Sequence, residues 1–245
     1  MRCTLWMGCA SLLAVTVAGA AAGEAETVFK RSLSTGLTLN RGNTEALQTY
    51  LSLVSEGERK GFGALRTGIE GQYGESRVDG RKETTTENAR AFANARRSLT
   101  RRTFGALDGT AAYDRIAELD YRLTLGPAYG VFLIMEERTT LTAEIGPAYV
   151  WEEVAGERDD YLAARFGERF THELTETARI WQTLDILPKA DDFSDVLLNA
   201  ELGLEAAVSH RMNMRVTAQH RYDRSPGEGL KRSDLVLMVG IGVTL

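Results

Sequence analysis

From Ser32 to the end of the chain, apolar side chains fall at every second position, and no stretch holds a helical spacing. A period of two means extended ribbons with one greasy face and one polar face. The clearest run closes the sequence. Leu235, Leu237, Val239, Ile241, Val243 and Leu245 share one side, with Asp234, Gly240, Gly242 and Thr244 among the residues between them. Val196, Leu198, Ala200, Leu202, Leu204, Ala206 and Val208 oppose Asn199, Glu201, Gly203, Glu205 and Ser209 in the same way. Comparable stripes run from Tyr121 to Val131, from Leu141 to Trp151 and from Met212 to Ala218, and weaker ones lie near 32–40, 46–55, 62–73, 88–97, 103–113, 161–171 and 178–187. That makes about twelve strands of about ten residues, in one domain over 32–245, with no evident internal repeat.

The connections alternate in character. Charged, turn-rich segments such as 75–87, 152–160, 188–195 and 223–233 follow odd strands, while shorter ones such as 98–102, 135–138, 172–177 and 209–211 follow even strands. Long loops at one end and tight turns at the other are the pattern of a closed antiparallel transmembrane barrel. Ten residues at about 3.4 Å, tilted by about 40°, rise roughly 26 Å, which matches the apolar band of such barrels. The stripes then face lipid and the polar face lines a lumen, where Arg66, Glu70, Glu144, Arg165, Arg169, Glu201, Glu205 and Arg215 are expected. Aromatic girdles are expected from Tyr73, Tyr113, Tyr121, Tyr149, Trp151, Tyr161 and Tyr222 at the loop end and from Phe62, Phe104 and Phe132 at the turn end. Glu168 breaks its stripe among Leu162, Ala164, Phe166 and Phe170, which calls for a register slip or a place near the interface.

Residues 1–22 read as a cleaved export signal: Arg2, an apolar stretch from Leu5 to Val17, then small residues ending at Ala22. Residues 23–31 are expected as a periplasmic lead-in. Removing the signal takes one basic residue, leaving 28 basic against 34 acidic side chains and a net charge of −6. That balance argues against a nucleic-acid partner. Cys3 and Cys9 both lie in the signal, so the mature chain has no disulfide, thiol nucleophile or thiolate metal site.

Gly240, Val243 and Leu245 of the closing strand resemble the signal read by the outer-membrane barrel assembly machinery, with Leu245 where Phe is usual. Two further segments, Gly36 to Glu45 around Gly42-Asn43-Thr44 and Tyr222 to Asp234 with the strand after it, resemble the domain-of-unknown-function 481 family, also known as salt-induced outer membrane proteins. The resemblance covers 30–245 and implies a porin-like outer-membrane barrel of a Gram-negative envelope, without an established biochemical activity.

Three histidines are present, and His220 falls on the lipid-facing stripe near the loop end of its strand. Its neighbour two residues on is Tyr222 rather than a serine, so a girdle role is expected. No catalytic, cofactor or metal residue is assigned, and the partners expected are outer-membrane lipid, lipopolysaccharide and the assembly machinery. The leading functional expectation is a non-enzymatic envelope component or narrow polar channel. Its rivals are an outer-membrane hydrolase acting on lipid or peptide and a soluble periplasmic β-sheet binding domain.

Overall fold

The computed structural model describes residues 28–41, 46–59, 63–78, 81–227 and 229–245. Twelve strands occupy them: β1 (Val28–Arg41), β2 (Ala46–Arg59), β3 (Gly63–Val78), β4 (Arg81–Ser98), β5 (Thr103–Asp114), β6 (Leu119–Met135), β7 (Thr139–Val154), β8 (Glu157–Glu173), β9 (Ala178–Pro188), β10 (Val196–Ala207), β11 (Met212–Asp223) and β12 (Ser233–Thr244). Each strand pairs antiparallel with its chain neighbour, and β1 pairs with β12 through Leu33↔Val243 and Leu37↔Val239. The sheet is therefore a closed barrel. Closure is what permits it to sit in hydrocarbon, because no strand edge is left with unpaired backbone groups.

The outer face carries the stripes. Leu37, Ile69, Leu125, Leu202 and Ile241 all stand exposed, whereas Ser34, Thr38, Gln48, Ser52, Thr142 and Thr217 are buried on the inner register. This inversion of the soluble pattern, greasy outside and polar inside, makes the fold a transmembrane barrel. It also overturns the soluble-domain alternative, whose core would have to be apolar. No helix among the described residues is long and apolar enough to cross a membrane.

Several boundaries differ from the sequence expectation. β1 begins at Val28, inside the segment expected as a lead-in. The segments 75–87 and 152–160 are largely strand: β3 and β4 extend through them, and β7 and β8 meet at Ala155-Gly156, both with positive φ. The charges there sit on ribbon that continues the hairpins past the apolar stripes. Segments 189–195 and 224–232 remain as connections between strands. The export signal and the Gly42-Asn43-Thr44 segment lie outside the described residues.

Bulges interrupt the β3–β4 ladder at Gly74/Glu75 and the β5–β6 ladder at Ala112/Asp114, and the β6–β7 pairing has a gap at its centre. Between β6 and β7 the paired register stops at Leu125↔Tyr149 and resumes unshifted at Tyr129↔Ile145. Pro127 and Pro147 stand opposite each other in that gap, and neither nitrogen can donate. The flanking residues are the same on both strands, Gly126-Pro127-Ala128-Tyr129 against Gly146-Pro147-Ala148-Tyr149. This short repeat is not conspicuous in the sequence because its two copies read as ordinary parts of two different stripes.

Candidate functional site: the charged lumen

Inward-facing residues from all twelve strands enclose a cavity of about 420 Å³. Its lining runs from Pro226, Leu230 and Asp234 at the loop end to Glu56, Thr171 and Arg179 toward the turn end. All eight charged residues expected there stand on the inner register of their strands, and the structure sorts them into groups.

The centre of one group is Arg165 on β8. Its guanidinium donates to Asp185 Oδ1 from both Nε (2.9 Å) and an Nη (2.5 Å), to Asp108 at 2.9 Å and to Glu144 at 3.1 Å. Arg96 on β4 completes the group by donating to the other oxygen of Glu144 at 2.5 Å, and Asn94 donates to Asp108 at 2.5 Å. Glu144 has only 4% of its side chain exposed, so it is held by two cations rather than by water. These bonds tie β4, β5, β7, β8 and β9 together across the lumen. The fork of donors on an arginine suits such bridging better than a lysine would.

A second group lies near the turn end of β9 to β11. Glu205 accepts from Arg215 at 2.5 Å and from Arg179 at 3.1 Å. Trp181 Nε1 donates to Glu201 at 2.7 Å, and Arg215 lies over the same indole at 5.2 Å. The indole lies against Gly203, where an added Cβ would come within 2.0 Å of Cζ2. Phe104 uses Gly130 in the same way, at 2.2 Å, and Phe92 uses Gly68. At these three positions glycine on the inner register makes room for an aromatic ring on the adjacent strand.

At the loop end, Arg122 of β6 pairs with Glu152 and, at 2.9 Å, with Asp223 of β11 on the far wall. Gly227, in the connection leaving β11, sits beside Glu118 and Ala155 of the β5–β6 and β7–β8 connections. The β11–β12 connection therefore crosses the mouth as a strap. Leu230 and Pro226 on it line the cavity from above.

The remaining expected residues are less constrained. Arg66 stands 3.9 Å from Glu56, and Glu70 has no ion pair among the described residues. Arg169 has none either, and its Nε is buried without a partner.

The aromatics divide. Tyr73, Tyr113, Tyr121, Tyr149, Trp151 and Tyr222 hold the outward register near the loop ends of their strands, with the Tyr149 and Trp151 rings 4.6 Å apart. Tyr149 donates to Asp160 and Tyr73 to Glu75, tying ring tips to hairpin charges above them. Three expected girdle members turn inward instead. Phe104 is 2% exposed and packs edge-to-face on Phe132 at 5.2 Å. Tyr161 packs on the inner cluster of Ala148, Val150, Ala163, Leu187 and Leu197, with Lys189 over its ring at 4.4 Å. Strand parity decides this: Tyr161 alternates with the outward Leu162, and Phe132 with the outward Leu133. Phe62 lies outside the described residues. At the turn end the outward rings include Phe29, Tyr129 and Phe170, the last stacked on His172 at 6.4 Å.

Glu168 faces out with no slip, since β8 runs in unbroken register through Ala143↔Glu168 and Glu168↔Leu184. Its carboxylate accepts from the outward Gln182 at 3.2 Å. Gly240 faces inward, Val243 faces outward, and Leu245 follows the last strand. No group of metal-ligating side chains occurs among the described residues. Instead, Asp159 is engaged by Lys189 at 2.7 Å and Asp192 by the Ser194 hydroxyl at 2.7 Å, with the Asp192 carboxyl held below its usual range by that hydroxyl and the neighbouring amides.

Sequence reasoning missed Arg96, Asp108, Arg122, Trp181 and Asp185. Asp108, Trp181 and Asp185 share parity with polar or small neighbours in strands whose stripes are weak. Arg122 was legible, since it alternates with the strong stripe from Tyr121 to Val131.

A family model described as "Protein of unknown function, DUF481" matches residues 33–245. The chain belongs to the DUF481 family. No curated protein matches this DUF481 chain. Among solved structures, the NanC porin in a rhombohedral crystal form is similar at 9% identity, covering 87% of this chain and 100% of that one with a TM-score of 0.58. The KdgM porin is similar at 7% identity, covering 87% and 99%, with a TM-score of 0.49. The translocator domain of the autotransporter NalP from Neisseria meningitidis is similar at 15% identity, covering 91% and 89%, with a TM-score of 0.47. At 9% identity the first likeness speaks for the fold.

Proposed function

We propose that this DUF481 barrel is a narrow polar channel of the outer membrane, not an enzyme, with its loop end outward and both termini on the periplasmic side. Its first 22 residues would export it, and the assembly machinery would insert it among phospholipid and lipopolysaccharide. The observation that carries this reading is the polar cavity that continues from the strap at the loop end to Glu56 and Arg179 toward the turn end. A barrel serving only as an envelope strut has no need to keep that space lined with charge, since side chains can fill a lumen of this strand number. The likeness of its fold to the NanC porin accords with it. Planar-bilayer recording of the refolded chain tests it. Discrete current steps are expected, and a silent trace at all voltages would overturn the channel.

One contact favours a second reading, an outer-leaflet ester hydrolase. His220 Nε2 lies 2.8 Å from Ser233 Oγ on the outward register near the loop end, across the β11–β12 hairpin, a juxtaposition that the serine-two-residues-on pattern could not find. A hydroxyl and an imidazole at that distance have the geometry of a nucleophile and its base. No third group orients the imidazole among the described residues, which is why the channel is preferred. Labelling of Ser233 by a fluorophosphonate probe, lost in His220→Ala, would reverse that preference.

A further inference from the structure

We infer that the lumen holds a binding path for small anionic solutes carrying more than one carboxylate or phosphate group, built from Arg66, Arg90, Arg169 and Arg221. This deepens the channel reading and rests on it for the word path. On one side of the lumen the carboxylates are consumed: Asp108, Glu144 and Asp185 by Arg165 and Arg96, Glu152 and Asp223 by Arg122, and Glu205 by Arg179 and Arg215. Glu201 accepts from the neutral Trp181 indole and keeps its charge.

Four arginines lining the same cavity have no carboxylate closer than 3.9 Å among the described residues, although Arg221 donates to the Gln219 amide oxygen at 2.9 Å. Arg90 and Arg169 have no carboxylate within ion-pair distance among the described residues. Arg66 and Arg221 reach Glu56 and Asp114 only at 3.9 Å. Their order along the barrel is continuous. Arg221, on β11 near the mouth, acts electrostatically on Arg90 of β4. Arg90 and Arg66 lie over the same Phe92 ring, at 5.6 and 4.7 Å from its centre, which places their guanidinium carbons at most about 10 Å apart. Arg66 in turn feels the like charge of Arg169, toward the turn end of β8. Like charges kept this close in a polar but confined space are relieved by a bound anion, and each guanidinium offers a fork suited to a carboxylate or phosphate. The countercharges beside the path are Glu70, directly across the β3–β4 ladder from Arg90 and without an ion pair of its own, Glu56 and Glu201 acting on Arg66, and Asp114 and Asp234 acting on Arg221. They dilute the path without closing it.

Two measurements on the full refolded chain decide the matter. Reversal potentials across a potassium chloride gradient near 0.1 M, where screening extends about 10 Å, are expected to favour chloride over potassium. Arg90→Glu and Arg169→Glu should each lower that ratio by about threefold or more, and Glu70→Gln should raise it. Calorimetric titration of the micelle-refolded protein with inorganic phosphate and with citrate should show saturable binding, tighter for citrate and weakened about tenfold in Arg90→Gln/Arg169→Gln. Current steps with no chloride preference, together with no citrate binding, would overturn the inference while leaving the channel. A silent bilayer with saturable citrate binding would remove the channel and keep the arginine site. Silence in both would remove both, and binding that the double variant retains in full would also sink the assignment to these residues.

Discussion

Replacing Arg165 by methionine isolates what the cross-lumen network contributes. The substitution keeps most of the side-chain volume and removes the cation from three carboxylates at once. Asp108 and Glu144, with 18% and 4% of their side chains exposed, cannot turn to bulk water, whereas Asp185 at 32% partly can. Charge-assisted hydrogen bonds contribute about 1.5–3 kcal/mol each, and removing one partner of a buried pair costs about 3–5 kcal/mol because the other charge stays desolvated. Arg96 still serves one oxygen of Glu144, so the two inner carboxylates are not wholly orphaned. We therefore expect a loss of about 3–5 kcal/mol from the barrel, measured by reversible urea unfolding in short-chain phosphatidylcholine vesicles. The double variant Arg165→Met/Glu144→Gln should recover about 1–3 kcal/mol of that, because neighbours in one network do not add. A loss below about 1 kcal/mol for the single variant, or a double variant no better than the single, would refute the claim that these charges are mutually held rather than separately solvated.

Adding a methyl at Gly203 forces Trp181 off Glu201, since the new Cβ would meet the indole at 2.0 Å, so Gly203→Ala should cost about 1–3 kcal/mol and red-shift tryptophan emission. Gly105→Ala, whose Cβ would meet nothing nearer than 4.0 Å, should stay within about 0.5 kcal/mol by the same unfolding assay. On the outer face, Leu202→Arg should cost about 2–4 kcal/mol in vesicles, and Glu168→Leu should stabilise by about 1 kcal/mol. Arg122→Gln cuts the tie to Asp223 and should raise single-channel current by freeing the strap, without changing the heat-modifiable mobility of the barrel. In the β9–β10 connection, Asp192 titrates below its unfolded value because Ser194 and nearby amides hold the anion. The order this confers is fully present above about pH 4 and lost as pH falls through the lower folded value, so pepsin cutting within 189–195 should rise only below that point.

The barrel was legible because lipid enforces a simple code: a ribbon in hydrocarbon must be apolar at every second position for its whole thickness. Strands such as β12 and β10 obey it along their full length, and their ends could be read to within a residue or two. Hairpin extensions above the membrane answer to no such rule, so Glu75 to Glu87 and Glu152 to Asp160 read as loops although most of them are strand. The lumen is the harder half. Parity places Arg165 and Glu144 inside, but only the closure and stagger of the sheet bring β5, β7, β8 and β9 to one guanidinium. Aromatic position along a strand was a poor guide to facing: Phe104 and Tyr161 lie at strand ends as girdle residues do, yet sit on the inner parity. The His220–Ser233 contact joins residues thirteen apart across a hairpin and follows from its register alone.

The facing prolines of β6 and β7 divide the hoop into two six-stranded halves, 28–135 and 139–245, joined there by a seam that forgoes amide donors. In no other pair of neighbouring strands does proline face proline. Under tension, or on heating in lipid, parting should start along that line and travel both ways, opening the hoop there while the unbroken β1–β12 ladder still holds the two arcs together. A barrel mended with Pro127→Val and Pro147→Val would lose this preferred tear, and its hairpins would peel from the termini instead.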